Sequence, residues 1–256
     1  MLLDLRNAFT ILTILPWKGR VASPEVDPAR SVVYFPAAGA FIGGVLLAAD
    51  AVGGSFSAPV RAALVMVASA AVTGGLHLDG LADTFDGIFS RAGRERALEI
   101  MRDSRLGALG AVGLMLFMFL KFGLLTELGP PHRGLTLFLM PVFGRQAMVL
   151  LMSIYPYARQ DHGLGRAFAR RVGQRGVIGS LALTVSLVLA GGLLSGIGPA
   201  QWARLVSGFA LTMGLVYLLS RYVAGRLGGM TGDTYGAADE MAELIFLLLA
   251  AAGGKA

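Results

Sequence analysis

Long apolar runs separated by short polar segments organise this chain of 256 residues. Six runs approach the roughly 20 residues with which an α-helix crosses a bilayer, and a shorter seventh follows them. They cover residues 34–51, 62–81, 106–125, 135–155, 177–197, 205–223 and 244–252. Because backbone groups in hydrocarbon must be hydrogen-bonded within their own segment, the runs predict helices. The expected fold is an all-α, polytopic membrane bundle with about seven membrane segments.

The stretch before the first run has a different pattern. It is apolar from residue 8 to residue 15, but it carries Asp4 and Arg6, and no small-residue cleavage site follows. A removed signal peptide is therefore disfavoured, and an N-terminal interfacial or re-entrant helix is predicted. The whole chain, residues 1–256, is expected to form a single integral membrane domain.

Composition supports the membrane assignment and narrows the chemistry. Hydrophobic residues make up 55% of the chain and charged residues only 15%, which is unlike an ordinary soluble domain. There are no cysteines, so disulfides, thiolate metal sites and cysteine nucleophiles are excluded. The net charge of +6 suits nucleic acid or an anionic membrane surface, and its distribution decides between them.

Basic residues are concentrated in every second loop. Arg61 is the single basic residue between the first two runs, and Arg133 is the single one between the third and fourth. The intervening segments are rich in arginine, which the positive-inside rule assigns to the cytoplasm. The polar segments placed there are 18–33, 82–105, 156–176 and 225–240. Topology thus accounts for the positive charge, and no nucleic-acid partner is predicted.

This topology gathers the polar side chains on one side of the membrane. A transporter is expected to carry functional groups along a path through the bilayer, often in two repeated halves. The chain shows no convincing internal repeat. An enzyme with its active site on the cytoplasmic face is therefore favoured, and a cation-coupled transporter is the alternative from another class.

Residues 74–87 carry three carboxylates and a histidine. In a helix Asp83 lies about 40° and Asp86 about 20° from Asp79, so the three acids share one face, with His77 nearly opposite. Like charges at this spacing repel one another unless a cation lies among them. Carboxylate oxygens are ligands that Mg²⁺ or Mn²⁺ prefers, commonly while holding a diphosphate. The acids predict a metal site, against the plainer alternative of a solvated helix end.

Two further polar segments carry candidate chemistry. Residues 94–105 are expected to form a short surface helix, in which Arg102 and Arg105 could grip one phosphate and Asp103 could add a metal ligand. Plain solvation explains such mixed charges equally well. In residues 157–165, polar groups and glycines suit either a bulky substrate or contact with anionic lipid.

A second group of acids precedes the last apolar run. Glycines flank Asp233 and predict a loop whose backbone can approach a ligand, and Glu240 shares its face if the segment is helical. We expect Asp233, with Glu240, to face Asp79 and Asp83 across a cytoplasmic cavity. A simple turn is the alternative.

Two cations lie within or near the apolar runs. Lys121 is close to the end of the third run and is expected to reach the membrane interface with its ammonium group. Arg145 lies near the middle of the fourth run and needs a partner there. A structural salt bridge and a phosphate contact are equally good interpretations of Arg145.

Three segments resemble the signature sequences of the cobalamin-5′-phosphate synthase family, also called adenosylcobinamide-GDP ribazoletransferases. They are HLDGLADTFDG at 77–87, MRDSR at 101–105 and GDTYGA at 232–237. The resemblance begins at TILP, residues 13–16, and continues to Glu243, so it covers nearly the whole chain. Phe85 stands where the pattern has a small residue.

The resemblance implies an Mg²⁺-dependent enzyme of the bacterial cytoplasmic membrane. It would join α-ribazole, or its 5′-phosphate, to adenosylcobinamide-GDP and release GMP, in the last assembly step of the coenzyme B12 nucleotide loop. Its expected partners are these small molecules and membrane lipid. The oligomeric state stays open, a homo-oligomer included.

The roles that follow are assigned residue by residue. The predicted metal ligands are Asp79, Asp83, Asp86, Asp233 and Glu240. The predicted catalytic residues are Asp79, Asp83, Asp103 and Asp233, with Asp103 or Asp233 taking the hydroxyl proton. The predicted substrate-binding residues are His77, Arg102, Arg105, Arg145, Thr234 and Tyr235.

Two other membrane enzymes offer weaker alternatives. A CDP-alcohol phosphotransferase also carries Asp-Gly at a membrane surface, but here Ala82 is followed by Asp83, and the second half of that motif is absent. A membrane prenyltransferase also uses acidic segments with Mg²⁺, but its Asn-Asp-x-x-Asp pattern does not occur.

Overall fold

The protein folds as a bundle of helices. The structure, a computed structural model, describes residues 1–15, 28–130, 132–159, 164–169 and 171–253. Within these ranges there are ten α-helices, three short 3₁₀-helices and no strand. The α-helices are α1 (Leu2–Leu12), α2 (Phe35–Val52), α3 (Ala58–Thr73), α4 (Leu76–Phe89), α5 (Arg94–Ile100), α6 (Ala108–Glu127), α7 (Arg133–Ile154), α8 (Gln174–Leu194), α9 (Pro199–Leu227) and α10 (Gly232–Gly253). The 3₁₀-helices are Pro28–Tyr34, Gly53–Ser55 and Leu164–Ala167.

Several helices are long and apolar enough to cross a membrane. Five segments in the described part of the chain meet this test, namely Pro28–Ser55, which contains α2, and the helices α6, α7, α8 and α9. The helices α3 and α4 meet it only together, and they are bent by 93°. The all-α, multi-pass architecture is thus confirmed. The count of about seven is not, because five or six spans are supported.

The predicted run 62–81 does not form one straight helix. α3 ends at Thr73 and α4 begins at Leu76. Between them Gly74 and Gly75 have φ values of 66° and 71°, a left-handed conformation that glycine adopts at little cost. A continuous apolar pattern carries no sign of this bend. The bend places the acids on a separate short helix that runs in a new direction.

α7 forms the centre of the bundle, and most of its side chains are buried. α2 lies against it through two glycines. A Cβ at Gly39 would meet the backbone of Pro141, and one at Gly43 would meet the backbone of Phe138. These two glycines let the backbones of α2 and α7 approach closely, as small residues commonly do between membrane helices.

The last helix is longer and begins earlier than the sequence pattern indicates. Residues 225–240 are expected to be a polar loop, but α9 continues to Leu227 and α10 begins at Gly232. Residues 234–240 are buried. The expectation of a loop is wrong because the acids of this stretch find cationic partners inside the bundle, as described below.

The N-terminal helix α1 has 11 residues, about half the length of a membrane span. It buries Asn7, Ala8 and Leu12. The chain then contacts α3, since the backbone N–H of Ile14 donates to the carbonyl of Val72 at 2.9 Å. α1 therefore packs on the bundle as a short accessory helix, in keeping with the predicted non-spanning segment.

Candidate active site

α4 and α10 pack against each other at two glycines. A Cβ at Gly80 would lie 2.7 Å from the carbonyl oxygen of Asp233. A Cβ at Gly236 would lie 3.1 Å from the Cα of His77. Residue numbers rise along one helix as they fall along the other, so the two helices run antiparallel. This close approach brings the acids of α4 beside the first turn of α10.

Three carboxylates meet at this crossing, and we refer to Asp79, Asp83 and Asp233 as the acidic cluster. Asp79 is exposed, whereas Asp83 and Asp233 are partly buried. Asp83 is subject to electrostatic repulsion from both Asp233 and Asp79. The structure thus brings together the two acidic segments that the sequence separates by about 150 residues. Their catalytic and metal-binding roles stay predictions.

Arg159 supplies positive charge to the acidic cluster. Its Nη2 donates to Oδ2 of Asp233 at 2.8 Å and to the carbonyl oxygen of Met101 at 3.3 Å. Its charge also acts on Asp83. Sequence reasoning missed this residue, although the predicted topology placed its loop on the same side as the acids. An uncompensated group of acids on that side was the signal for a nearby cation.

The backbone next to Arg159 is held firmly. The N–H of Ala158 donates to the carbonyl of Met230 at 2.8 Å, and the N–H of Met230 donates to the carbonyl of Pro156 at 2.9 Å. Arg94 adds a clamp, because it donates to the carbonyls of Leu227 at 2.8 Å and Ala158 at 3.0 Å. The loop that carries Arg159 is therefore fixed to the segment that leads into α10.

Asp86 lies on α4 as predicted but has other partners. It is buried, and its carboxylate accepts the N–H of Gly107 at 2.8 Å and that of Gly110 at 2.7 Å. These amides lie at the N-terminal end of α6, where an anionic side chain is favourable. Both carboxylate oxygens thus stabilise the start of a helix. A metal-binding role for Asp86 stays a prediction.

The residues that follow α5 form an exposed turn. The helix expected over 94–105 ends at Ile100, and Arg102, Asp103 and Arg105 are exposed. Nη2 of Arg105 contacts Oδ2 of Asp103 at 2.6 Å. Hydrogen bonds from Arg105 lower the pKa of Asp103 to about 2. The carbonyl of Met101 joins this turn to the acidic cluster through Arg159.

A buried ion network lies deeper in the bundle. Lys121 of α6 donates to Glu240 and to Glu243, both at 2.8 Å. Arg145 of α7 contacts Asp239 at 3.1 Å and also pairs with Glu243. His77 of α4 lies 2.7 Å from Asp239. The network therefore consists of His77, Lys121, Arg145, Asp239, Glu240 and Glu243, and it connects four helices.

The network changes the interpretation of both membrane cations. Lys121 is only 4% exposed, so the expectation that it reaches the membrane interface is wrong, because two glutamates meet it in the interior. Arg145, near the middle of α7, forms salt bridges with Asp239 and Glu243, which agrees with the structural interpretation of this residue. Its role in substrate binding, like that of His77, stays a prediction. Two cations in apolar runs and three acids directly before the last apolar run were the signal for this pairing.

Glu240 lies apart from the acidic cluster. It is seven residues beyond Asp233 in a continuous helix, which corresponds to about 10 Å along the axis. Its carboxylate is occupied by Lys121. The structure does not bring Glu240 together with Asp79 and Asp83, because the helical pitch carries it into the bundle interior.

The two substrate-binding candidates that follow Asp233 contribute to the start of α10. Oγ1 of Thr234 accepts the N–H of Thr231 at 2.7 Å, and Oγ1 of Thr231 accepts the N–H of Thr234 at 3.2 Å. Tyr235 is buried in the same hydrophobic cluster as Phe168. Thr234 therefore stabilises the helix start and Tyr235 packs in the core, and their contacts with substrate stay predictions.

The acidic cluster has the donor chemistry for Mg²⁺ but not the form of a closed cage. Among the residues that the structure describes, no group of three or more histidines or acids is arranged to hold a metal ion. Mg²⁺ is commonly bound through one or two carboxylates together with waters and substrate phosphates. The oxygens of Asp79, Asp83 and Asp233 fit that mode, in which the substrate completes the coordination.

Comparisons with known proteins find relatives over nearly the whole chain. A family model described as "Cobalamin-5-phosphate synthase" matches residues 4–251. The chain is 42% identical to an adenosylcobinamide-GDP ribazoletransferase of Desulforamulus reducens over 97% of both chains. It is 40% identical to the enzyme of that name from Roseiflexus sp., over 94% of this chain and 86% of the relative. It is also 40% identical to one from Citrobacter koseri, over 86% and 87% respectively. No solved structure matches the chain significantly.

Proposed function

The chain belongs to the cobalamin-5-phosphate synthase family, whose members are transferases of cobalamin biosynthesis, and we propose that the acidic cluster carries out its reaction. The substrates are adenosylcobinamide-GDP and α-ribazole or its 5′-phosphate. The observation that carries this proposal is the meeting of three motif segments at one crossing. Gly80 packs on Asp233, and Arg159 joins Asp233 to Met101.

The proposed reaction exchanges one phosphorus–oxygen bond for another. A ribose hydroxyl of ribazole forms a bond to the phosphorus on the cobinamide side of the diphosphate. The bond from that phosphorus to the bridging oxygen breaks, and GMP leaves with that oxygen. The hydroxyl proton passes to a carboxylate. Because little covalent chemistry falls to the protein in such a transfer, positioning and charge stabilisation account for most of the catalysis.

Asp79, Asp83 and Asp233 would hold Mg²⁺ together with the diphosphate. When bound, the ion supplies positive charge to the diphosphate and to the leaving phosphate. Arg102 and Arg105 lie exposed in the turn after Met101, and their guanidinium groups are suited to bidentate contacts with phosphate oxygens. We place these two arginines at the phosphate that leaves.

Asp233 is the better of the two candidate bases. Asp103 is exposed, and Arg105 holds its pKa at about 2, far from the neutral range in which a general base is most effective. Asp233 lies in the acidic cluster, partly shielded from water. We therefore assign the hydroxyl proton to Asp233, of which one carboxylate oxygen would bind the metal ion and the other would take the proton. The turn that carries Asp103 is assigned a phosphate-side role.

We further propose that the chain lies in the bacterial cytoplasmic membrane with the acidic cluster on the cytoplasmic side. Support comes from the arginine-rich segments of the sequence, several of which meet at the crossing. α5 contacts the end of α9 through Arg94 and Leu227. A soluble nucleotide substrate and a soluble product, GMP, would then be exchanged on the cytoplasmic side.

GMP release by the purified protein tests the proposal. The protein is supplied with Mg²⁺, adenosylcobinamide-GDP and α-ribazole, and GMP and the corrinoid product are measured by chromatography. We expect equal amounts of both, and no product after chelation of the metal. Glu95→Gln, which changes an exposed acid on α5, is the control and should retain the wild-type rate. Absence of GMP from folded wild-type protein would contradict the proposal.

A further inference from the structure

We infer that Arg159 occupies the cation position of the acidic cluster while no diphosphate is bound, and that it exchanges Asp233 for a substrate phosphate on binding. The metal ion would then bind tightly only together with the diphosphate. This inference rests on the proposed function. It adds that the diphosphate draws Arg159 away from Asp233 and so allows the metal ion to bind tightly.

The contacts of Arg159 place its charge where a metal ion is expected. The guanidinium lies 2.8 Å from Asp233, and its charge also acts on Asp83. Asp79 repels both of these carboxylates. Three acids at one crossing need positive charge, and Arg159 supplies part of it. A metal ion that uses Asp233 as a ligand must therefore compete with Arg159.

The donor groups of Arg159 are not all used by these contacts. Its Nε is buried and finds no acceptor among the described residues. A guanidinium has five N–H donors in a planar fork that matches two phosphate oxygens, and a buried donor without an acceptor costs free energy. A diphosphate at the acidic cluster would provide acceptors for Arg159 and free Asp233 for the metal.

The surroundings of Arg159 favour an exchange of partners over a movement of the loop. Its backbone neighbour Ala158 is bonded to Met230 and to Arg94, so the Cα position is held. The side chain is 16% exposed and that of Asp233 is 25% exposed, so the ion pair lies at the border of the solvent. A rotation of the guanidinium is then sufficient to pass from Asp233 to an incoming phosphate.

Binding of Mn²⁺ to the substrate-free protein tests the inference without any turnover. Free Mn²⁺ is measured by electron paramagnetic resonance with wild-type protein, Arg159→Gln and Arg159→Lys. We expect Arg159→Gln to bind Mn²⁺ about tenfold more tightly, a value between those of exposed and buried ion pairs. Arg159→Lys should stay close to wild type because it keeps the charge. Arg175→Gln, which removes an exposed cation at the start of α8, should bind like wild type.

Two further measurements separate exchange from a structural role. The double variant Arg159→Gln with Asp233→Asn should bind Mn²⁺ no more tightly than Asp233→Asn alone, since the gain arises through Asp233. Adenosylcobinamide-GDP, added without ribazole, should tighten the binding of Mn²⁺ to the wild-type protein. The affinity of the protein for adenosylcobinamide-GDP itself should fall about tenfold or more in Arg159→Gln.

Unchanged or weaker Mn²⁺ binding by Arg159→Gln would overturn the inference, and so would a gain that survives the loss of Asp233. Neither result depends on GMP release. If the wild-type protein forms no GMP while the Mn²⁺ measurements follow the expected pattern, the proposed function fails and the exchange stands. If GMP forms but Mn²⁺ binding is insensitive to Arg159, the exchange fails alone.

Discussion

Aspartates on one face of α4 have different surroundings in this protein. Asp79 is exposed at the crossing with α10, whereas Asp86, about two turns further along, is buried against the start of α6. Asp86 accepts two backbone N–H groups there. A carboxylate that satisfies one buried and one partly buried donor contributes to stability whether or not substrate is bound. A shared helical face therefore does not assign a shared function.

Alanine substitutions should separate these two aspartates. Asp86→Ala removes the acceptor of two amide groups, and we expect about 1 to 3 kcal/mol of destabilisation for each group left unsatisfied. Asp79→Ala removes an exposed side chain, so the melting temperature should stay near wild type while GMP release falls about 100-fold or more. Thermal unfolding and GMP release are measured on the same preparations. Equal melting temperatures for both variants would argue against the capping role of Asp86.

The helix α10 connects the acidic cluster to the interior of the bundle. Its first turn carries Asp233 of the acidic cluster, and its middle carries the three acids of the buried ion network. His77 binds that network from α4, one helical turn before Gly80 contacts Asp233. The network therefore holds α4 and α10 in the register that places Asp79 beside Asp233.

Loss of Lys121 should show how much the network stabilises this register. Lys121→Met leaves Glu240 and Glu243 without one of their buried partners, and removal of one side of a buried ion pair costs about 3 to 5 kcal/mol. We expect a lower melting temperature and lower yield of folded protein. Arg96→Gln, which breaks an exposed pair with Glu99, is the matched control and should cost about 1 kcal/mol or less. Similar losses in both variants would indicate that the network contributes little.

Sequence-based prediction succeeds where a feature depends on neighbouring residues and fails where it depends on backbone angles or on residues far apart in the chain. The shared helical face of Asp79 and Asp83 depends on helical periodicity alone, and α4 contains both residues as predicted. The bend at Gly74 depends on backbone angles that an apolar pattern does not encode. The pairing of Lys121 with Glu240 joins residues more than 100 positions apart, so no local pattern contains it.

The charged groups of the bundle fall into separate regions. The acidic cluster and Arg159 lie at one end of the bundle. A different ion cluster ties the ends of other helices, where Asp50 pairs with Arg61 and with Arg133. Arg133 also donates to the carbonyls of Leu125 and Leu128 at 2.6 and 2.9 Å. Arg61 and Arg133, each the single basic residue of a sparsely charged loop, thus have structural partners.

Cysteine labelling in intact cells tests which end faces the cytoplasm. The chain has no cysteine, so a single introduced thiol reports its own position. Ser57 lies exposed between α2 and α3, and Ser104 lies exposed in the turn after α5. Because the arginine-rich segments are expected to stay inside, an impermeant thiol reagent should label Ser57→Cys in intact cells. It should label Ser104→Cys only after the membrane is permeabilised.

The labelling of Ser104→Cys also tests on which side of the membrane the substrate and GMP are exchanged. The turn that carries Ser104 is joined to the acidic cluster through Met101 and Arg159, so the two must lie on the same side of the membrane. Nucleotides cannot cross a bilayer unaided because the burial of their charges in hydrocarbon is costly. Labelling of Ser104→Cys in intact cells would place the acidic cluster outside, away from cytoplasmic nucleotide substrates, and would contradict the proposed exchange of substrate and GMP with the cytoplasm.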